Sequence, residues 1–162
     1  MDIRVATAGD WTGLWPIIEE VVRAGQTYCW PVDATEEECR TWWMGKPGGT
    51  VYVAVDPDGK IAGTAELHPN QPAAGSHIAN AGFMVASHAS GRGLGRALGR
   101  HVIEEAAAQG FTAMQFNAVV ATNAHAIRLW QSLGFSILAT IPGAFNHPVR
   151  GMVGLNLMYR SL

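Results

Sequence analysis

The sequence predicts an α+β domain: a mixed, mostly antiparallel central sheet of about seven strands, flanked by about four helices in three layers. Three observations carry this expectation. The chain has 162 residues, 48% of them hydrophobic and 15% charged. That is the size and composition of one globular domain, so residues 1–162 are read as a single unit. Its apolar pattern switches between strand and helix periods in the order β-α-α-β-β-β-α-β-α-β-β. A glycine-rich turn, Ser90-Gly91-Arg92-Gly93-Leu94-Gly95-Arg96-Ala97-Leu98, stands between a strand pattern and a helix pattern.

The elements follow in order. Ile3 to Ala6 alternates like a short strand. Thr7 or Asp10 can cap a helix running to about Arg23, with Trp11, Leu14, Trp15, Ile18 and Val22 on one face. Pro16 then has to lie near its first turn or mark a kink. Gly25 to Pro31 reads as an aromatic loop. Thr35 followed by Glu38 is a capping box, opening a helix to about Met44 that Lys46-Pro47-Gly48-Gly49 ends. Val51–Val55 and Lys60–Leu67 form a hairpin across Asp56-Pro57-Asp58-Gly59. His68 to Gly75 is a loop, and His77–Val85 is the strand that feeds the glycine turn. Leu94, Leu98, Val102, Ile103 and Ala106 give the next helix an apolar face, and Gly110 stops it. Thr112–Val119 is a strand and Asn123–Leu133 a helix. Phe135–Ile141 and Met152–Tyr159 are the last strands.

Strand, glycine turn and helix start make a pocket of backbone N–H groups suited to phosphate. Arg92 and Arg96 add positive charge beside it. The dinucleotide fingerprint fits poorly: Arg96 stands where its third glycine belongs, and no acidic residue lies about 20 positions on, where Ala113 and Gln115 occur. The Walker Gly-Lys-Ser/Thr is absent. A flexible turn without a ligand is the plain alternative.

The net charge of −2 argues against nucleic acid as the main partner. No apolar run approaches the roughly 18 residues of a membrane span, and Met1-Asp2-Ile3-Arg4 is not a signal peptide. A soluble, cytoplasmic protein is expected. Cys29 and Cys39 read as buried structural thiols. His68, His77, His88, His101, His125 and His147 are scattered, so no metal site is expected.

The element order, with the glycine turn after the fourth strand, resembles the GCN5-related N-acetyltransferases (GNAT) over essentially the whole chain. Gly93 and Gly95 match the small positions of the family's Gln/Arg-x-x-Gly-x-Gly/Ala turn. Asn123, Ala126, Leu129 and Gly134-Phe135 mirror its N-x-x-A-x-x-L-Y-x-x-x-G-F segment. The resemblance implies an enzyme with acetyl-CoA as co-substrate and an amine as acceptor. Ser90 replaces the usual Gln or Arg. Trp130 replaces a tyrosine proposed to protonate the departing thiolate, and an indole N–H cannot act as an acid near neutral pH. Releasing a thiol of pKa ~8.5 as thiolate at pH 7 costs only about 2 kcal/mol, whereas deprotonating an amine of pKa ~10.4 costs roughly 4–5 kcal/mol. An amine acceptor therefore needs a base or a pocket that prefers its neutral form.

Further segments are similar to the fungal acetyltransferases that detoxify L-azetidine-2-carboxylate. They are Gly25-Gln26-Thr27-Tyr28, His68-Pro69-Asn70-Gln71-Pro72, His77-x-x-Asn80-Ala81-Gly82-Phe83-Met84-Val85, Gln115-Phe116-Asn117-x-Val119-x-x-x-Asn123 and Pro142-Gly143-Ala144-Phe145. In that subgroup matching asparagines are associated with substrate binding and catalysis. Asn is depleted in strands, so Asn80 and Asn117 need a reason beyond local backbone bonding.

The candidates for catalysis are Asn80, Asn117 and Glu66, with His68 and His77 as further candidate bases. Cofactor contacts are expected from Met84, Val85, Ser90, Gly91, Arg92, Gly93, Leu94, Gly95, Arg96, Ala97, Asn123 and Trp130, with a backbone N–H near Val85 stabilising the oxyanion. Tyr28, Trp30, Phe83 and Phe116 are candidate acceptor-site residues. The acceptor is expected to be a small amine or imino acid. Phosphinothricin-like amines, a protein or peptide N-terminus and a non-catalytic acyl-CoA binding module are the alternatives. The apolar C-terminal strand leaves room for a homodimer.

Overall fold

The computed structural model describes residues 2–162. Its elements are β1 (Asp2–Val5), α1 (Trp11–Ala24), α2 (Glu36–Met44), β2 (Thr50–Val55), β3 (Ile61–Pro69), β4 (Ile78–Val85), α3 (Leu94–Ala108), β5 (Ala113–Val120), α4 (Ala124–Ser132), β6 (Ser136–His147) and β7 (Gly151–Ser161). The strands form one seven-stranded sheet in the order β1-β2-β3-β4-β5-β7-β6. Every neighbouring pair is antiparallel except β4 and β5. This is the architecture the element order predicts.

Helices α1 and α2 cover one face of the sheet, and α3 covers the other with α4 beside it. The core lies between these layers. Leu14, Ile18, Val22 and Trp43 fill one side, Leu98, Val102 and Ala106 the other, around Val53, Leu67, Met114 and Met158 of the strands. Among the described residues, no helix is long and apolar enough to cross a membrane.

The expected capping box is present: Glu38 N–H donates to Thr35 Oγ1 at 3.2 Å, and Thr35 N–H donates to Glu38 Oε2 at 2.8 Å. Asp10, one of the two cap residues read from the sequence, stands at the start of α1, but its side chain makes no bond to the helix. Asp10 closes a short 3-10 turn and holds Arg4 through two bonds, at 2.8 and 2.9 Å. Those bonds and Thr7 N–H keep the Asp10 carboxyl well below the usual carboxylate range. With α1 starting at Trp11, Pro16 falls in the second turn, where it removes a helical N–H. Strand β3 runs two residues further than its apolar pattern, because His68 and Pro69 pair with Asn80 and Ala79. Strand β6 continues through the Pro142-Gly143-Ala144 irregularity to His147, held by β7. It is exposed along most of its length, Leu138 reaching 64%.

Two glycines of α3 set the spacing to α4. A Cβ on Gly99 would sit 2.7 Å from Leu133 Cδ1 and 3.1 Å from Trp130 Cζ3, and one on Gly95 would sit 3.4 Å from Leu129 Cδ2. Gly99→Val therefore overpacks the α3–α4 seam and is expected to cost about 1–3 kcal/mol. In a thermal melt that lowers Tm by roughly 3–10 °C. An unchanged Tm would show that α4 can shift outward at no cost.

Candidate active site

Strands β4 and β5 pair only at Ile78–Ala113 and Ala79–Met114, then part. A cleft of about 900 Å³ occupies the wedge they leave. It runs from the start of α3 to the loop after α1.

At the α3 end, Gly91 and Gly93 adopt positive φ of 76° and 81°, a conformation L-residues avoid. The first helical bond runs from Ala97 N–H to Gly93 O. The N–H groups of Leu94, Gly95 and Arg96 therefore have no helical partner and face the turn. Ser90, Gly91, Gly93, Leu94, Gly95 and Arg96 line the cleft, whereas Arg92 and Ala97 do not. A phosphate fits here: free donors, no acidic residue in the first turn and open space around both glycines.

Asn123 lines the opposite wall and caps α4, its Oδ1 accepting from Ala126 N–H at 3.2 Å. Its local backbone role is therefore real. Trp130 is both a packed and a lining residue. It is 7% exposed, lies 4.7 Å from Phe83 and 5.0 Å from Phe116 (ring centroids), and still lines the cleft. Phe116 is stacked on Phe135 at 4.4 Å.

The peptide groups of β4 alternate in direction. Ala86 N–H bonds Ala62 of β3, while His77 O on the other side accepts from Thr112 N–H. Ala81, Phe83 and Val85 therefore turn their N–H groups toward the wedge. Asn80 Oδ1 takes the Ala81 N–H at 2.8 Å. The Tyr28 hydroxyl accepts from Phe83 N–H at 2.9 Å and donates to Phe83 O at 3.1 Å. Val85 N–H has no such partner among the described residues. Burial, and then the nearby Glu66 carboxylate, push the Tyr28 phenol far above its ordinary range, so it stays protonated.

At the other end of the cleft, Glu66 is 3% exposed. Lys46 Nζ lies 2.6 Å from its Oε1, and His68 Nδ1 lies 2.6 Å from its Oε2. Gly82 faces Glu66 across β3–β4. A Cβ there would come within 2.9 Å of Glu66 Oε1 and 3.0 Å of Tyr28 Oη, so glycine leaves the room the carboxylate occupies. Asn80 lines the cleft opposite His68. Asn117 stands exposed at the rim, donating to Asn70 Oδ1 at 2.7 Å and accepting from Gln115 Nε2 at 2.9 Å. Trp30 lies against Tyr28, Trp42 and Trp43, forming an aromatic wall.

A model of the acetyltransferase (GNAT) family matches residues 15–135 of this sequence. The chain belongs to that family. Similar proteins agree with it. A GCN5-related N-acetyltransferase from Kribbella flavida is 48% identical, with TM-score 0.95 over 99% of this chain and 97% of its own. The yncA protein of Salmonella typhimurium, solved with its cofactor acetyl-CoA, is 25% identical, with TM-score 0.88 over 100% of this chain and 94% of its own. The N-acetyltransferase aca1 of Schizosaccharomyces pombe is 36% identical over 91 residues, 56% of this chain and 44% of that protein. The GNAT chain thus spans less than half the length of this curated relative.

Met84, Val85, Tyr28, Trp30, Phe83 and Phe116 line the cleft, and His77 does not, being exposed elsewhere. His68 is not part of the lining but touches Glu66 behind it. Cys29 departs from the buried thiol expected: it is exposed at the cleft, and partial desolvation raises its pKa, which disfavours a nucleophilic thiolate. Among the described residues, no cluster of three His, Cys, Asp or Glu side chains could hold a metal ion. Lys46, Gly82, His125 and Arg128 line the GNAT cleft without having been singled out. A signal for the last two was available. Basic residues in the first turns of a helix oppose its dipole, and such local conflicts mark functional surfaces.

Proposed function

We propose that this GNAT domain moves the acetyl group of acetyl-CoA to the amine of a small amino or imino acid, a proline-like ring such as azetidine-2-carboxylate being the reference acceptor. The observation that carries this reading is the state of Glu66. It is the cleft's acidic side chain, and each of its oxygens is already held by a cationic or N–H donor. A polycationic acceptor would find no free carboxylate there. A zwitterion would meet the Asn80 Nδ2 group and, by exchanging its bonds to Asn70 and Gln115, the amide of Asn117.

The turn at Ser90–Arg96 would hold the pyrophosphate through the Leu94, Gly95 and Arg96 N–H groups, with Arg96 and Arg128 adding charge and the His125 ring lying near it. Bound acetyl-CoA supplies an activated thioester. The protein's part is to orient the acceptor amine, to offer the Val85 N–H where negative charge develops on oxygen, and to let the amine reach its neutral form.

The test is a thiol-release assay on a panel containing azetidine-2-carboxylate, proline, phosphinothricin, a polyamine and a peptide N-terminus. The imino acids are expected to be acetylated and the polyamine not. Asn117→Ala is expected to lower turnover at least about tenfold while calorimetry shows acetyl-CoA binding intact. Preference for the peptide, or silence across the panel despite tight cofactor binding, would replace the reading with a peptide acetyltransferase or an acyl-CoA binding module.

A further inference from the structure

We propose that the side chain that removes the acceptor's proton is His68, with Glu66 and Lys46 as its positioning residues. The inference rests on the amine-acetylating reading above.

Glu66 faces the cleft, but both its oxygens are engaged, at 2.6 Å by Lys46 and at 2.6 Å by His68. Taking up a further proton would break one of these contacts inside a site where Glu66 is 3% exposed. His68 is arranged the other way. Its Nδ1 meets the carboxylate, so an ionised Glu66 fixes the tautomer with the proton on Nδ1 and the lone pair on Nε2. This tautomer is assigned from the bond to Glu66. Nε2 has no hydrogen-bond partner among the described residues. No buried side-chain nitrogen or oxygen there lacks a partner, so Nε2 is open to water. The His68 side chain keeps 16% of its surface.

The position of His68 links this nitrogen to the cleft. His68 stands directly across the β3–β4 ladder from Asn80, which lines the cleft. Side chains so opposed are about 5 Å apart at Cβ. In the proposed route the proton passes from an amine beside Asn80 to Nε2 through bridging water, a relay that general-base catalysis tolerates. The charged or titratable groups packed around the pair are Lys46 from the loop after α2 and Tyr28 from the loop after α1. The facing stretch of β4, Asn80 to Gly82, contributes none.

The step balances simply. The acceptor ammonium gives one proton through the water to Nε2, leaving a neutral amine with its lone pair. His68 becomes an imidazolium whose charge the Glu66 carboxylate offsets. The same proton later leaves Nε2 for solvent. No other bond changes in this step.

Two measurements test it. In protein labelled with 15N-histidine, the neutral His68 signal (identified by its loss in His68→Gln) should show a protonated Nδ1 and a bare Nε2. A proton on Nε2 instead overturns the proposal. This readout needs no substrate, so it decides the arrangement even if no amine in the panel is acetylated, an outcome that would sink the functional reading instead. For an accepted amine of pKa near 10, His68→Gln should lower kcat/KM by ~10²–10⁴-fold. For an amine already neutral at the assay pH, such as a hydroxylamine, the loss should fall below about tenfold. Equal losses for both amines would reduce His68 to a structural contact and overturn the proposal. Calorimetric acetyl-CoA binding by the variant, at wild-type affinity, serves as its folding control.

Discussion

Gly93→Glu is expected to abolish acetyl-CoA binding while leaving the fold intact. Gly93 sits at φ 81° as the residue before α3, so any side chain there carries about 1–2 kcal/mol of backbone strain. The space around it is open, so the damage is not steric. The new carboxylate would compete for the free N–H groups of Leu94, Gly95 and Arg96 and repel the pyrophosphate. A negative charge at a helix N-terminus stabilises the helix by about 0.3–1 kcal/mol, offsetting part of the strain. Affinity by calorimetry should fall at least ~100-fold with Tm nearly unchanged, whereas Gly93→Ala, which adds strain without charge, should lose about tenfold. Wild-type binding by Gly93→Glu would remove the turn from the phosphate site.

The second large effect is at Glu66. Glu66→Ala leaves Lys46 and His68 without their common partner. Removing one member of a fully buried ion pair costs about 3–5 kcal/mol. Here the Lys46 side chain keeps 30% of its surface, so roughly 2 kcal/mol is expected. Denaturant unfolding should show a lower midpoint at unchanged slope. Turnover should fall at least ~100-fold, because His68 loses both its orientation and the charge that balances its imidazolium. Glu66→Gln, which can still accept from Nδ1, should recover part of the stability and less of the rate. Full turnover in Glu66→Ala would leave the Lys46–Glu66–His68 trio without a functional role.

Much of this was legible in the amino acids. The element order followed from periodicity and punctuation: the Thr35–Glu38 box, the Asp56–Gly59 turn and the stops at Gly110 and Gly134 each act within a few residues of themselves. The glycine turn before α3 was legible for the same reason, since its glycines and the helix start are contiguous. What could not be read depends on register between distant segments. Lys46 lies 20 residues from Glu66, in a stretch that reads only as a helix stop. Gly82 looks like any strand glycine until β3 sets Glu66 opposite it. Tyr28 reaches the Phe83 peptide across 55 residues, and nothing local announces that bond. His68 read as loop because its pairing with Asn80 is set by the partner strand.

The aromatic walls of the cleft also make the protein its own optical probe. Trp130 borders the cleft in contact with Phe83 and Phe116, on the side proposed for the cofactor, and Trp30 borders it in contact with Trp42 and Trp43, on the side proposed for the acceptor. Their emission is expected to respond to different occupants. The part of the ligand-induced change lost on replacing Trp130 by phenylalanine is expected to report the first ligand, and the part lost on replacing Trp30 the second, over a background from Trp11, Trp15, Trp42 and Trp43. The order in which the two substrates enter can therefore be read by stopped-flow fluorescence, without a label and without waiting for turnover.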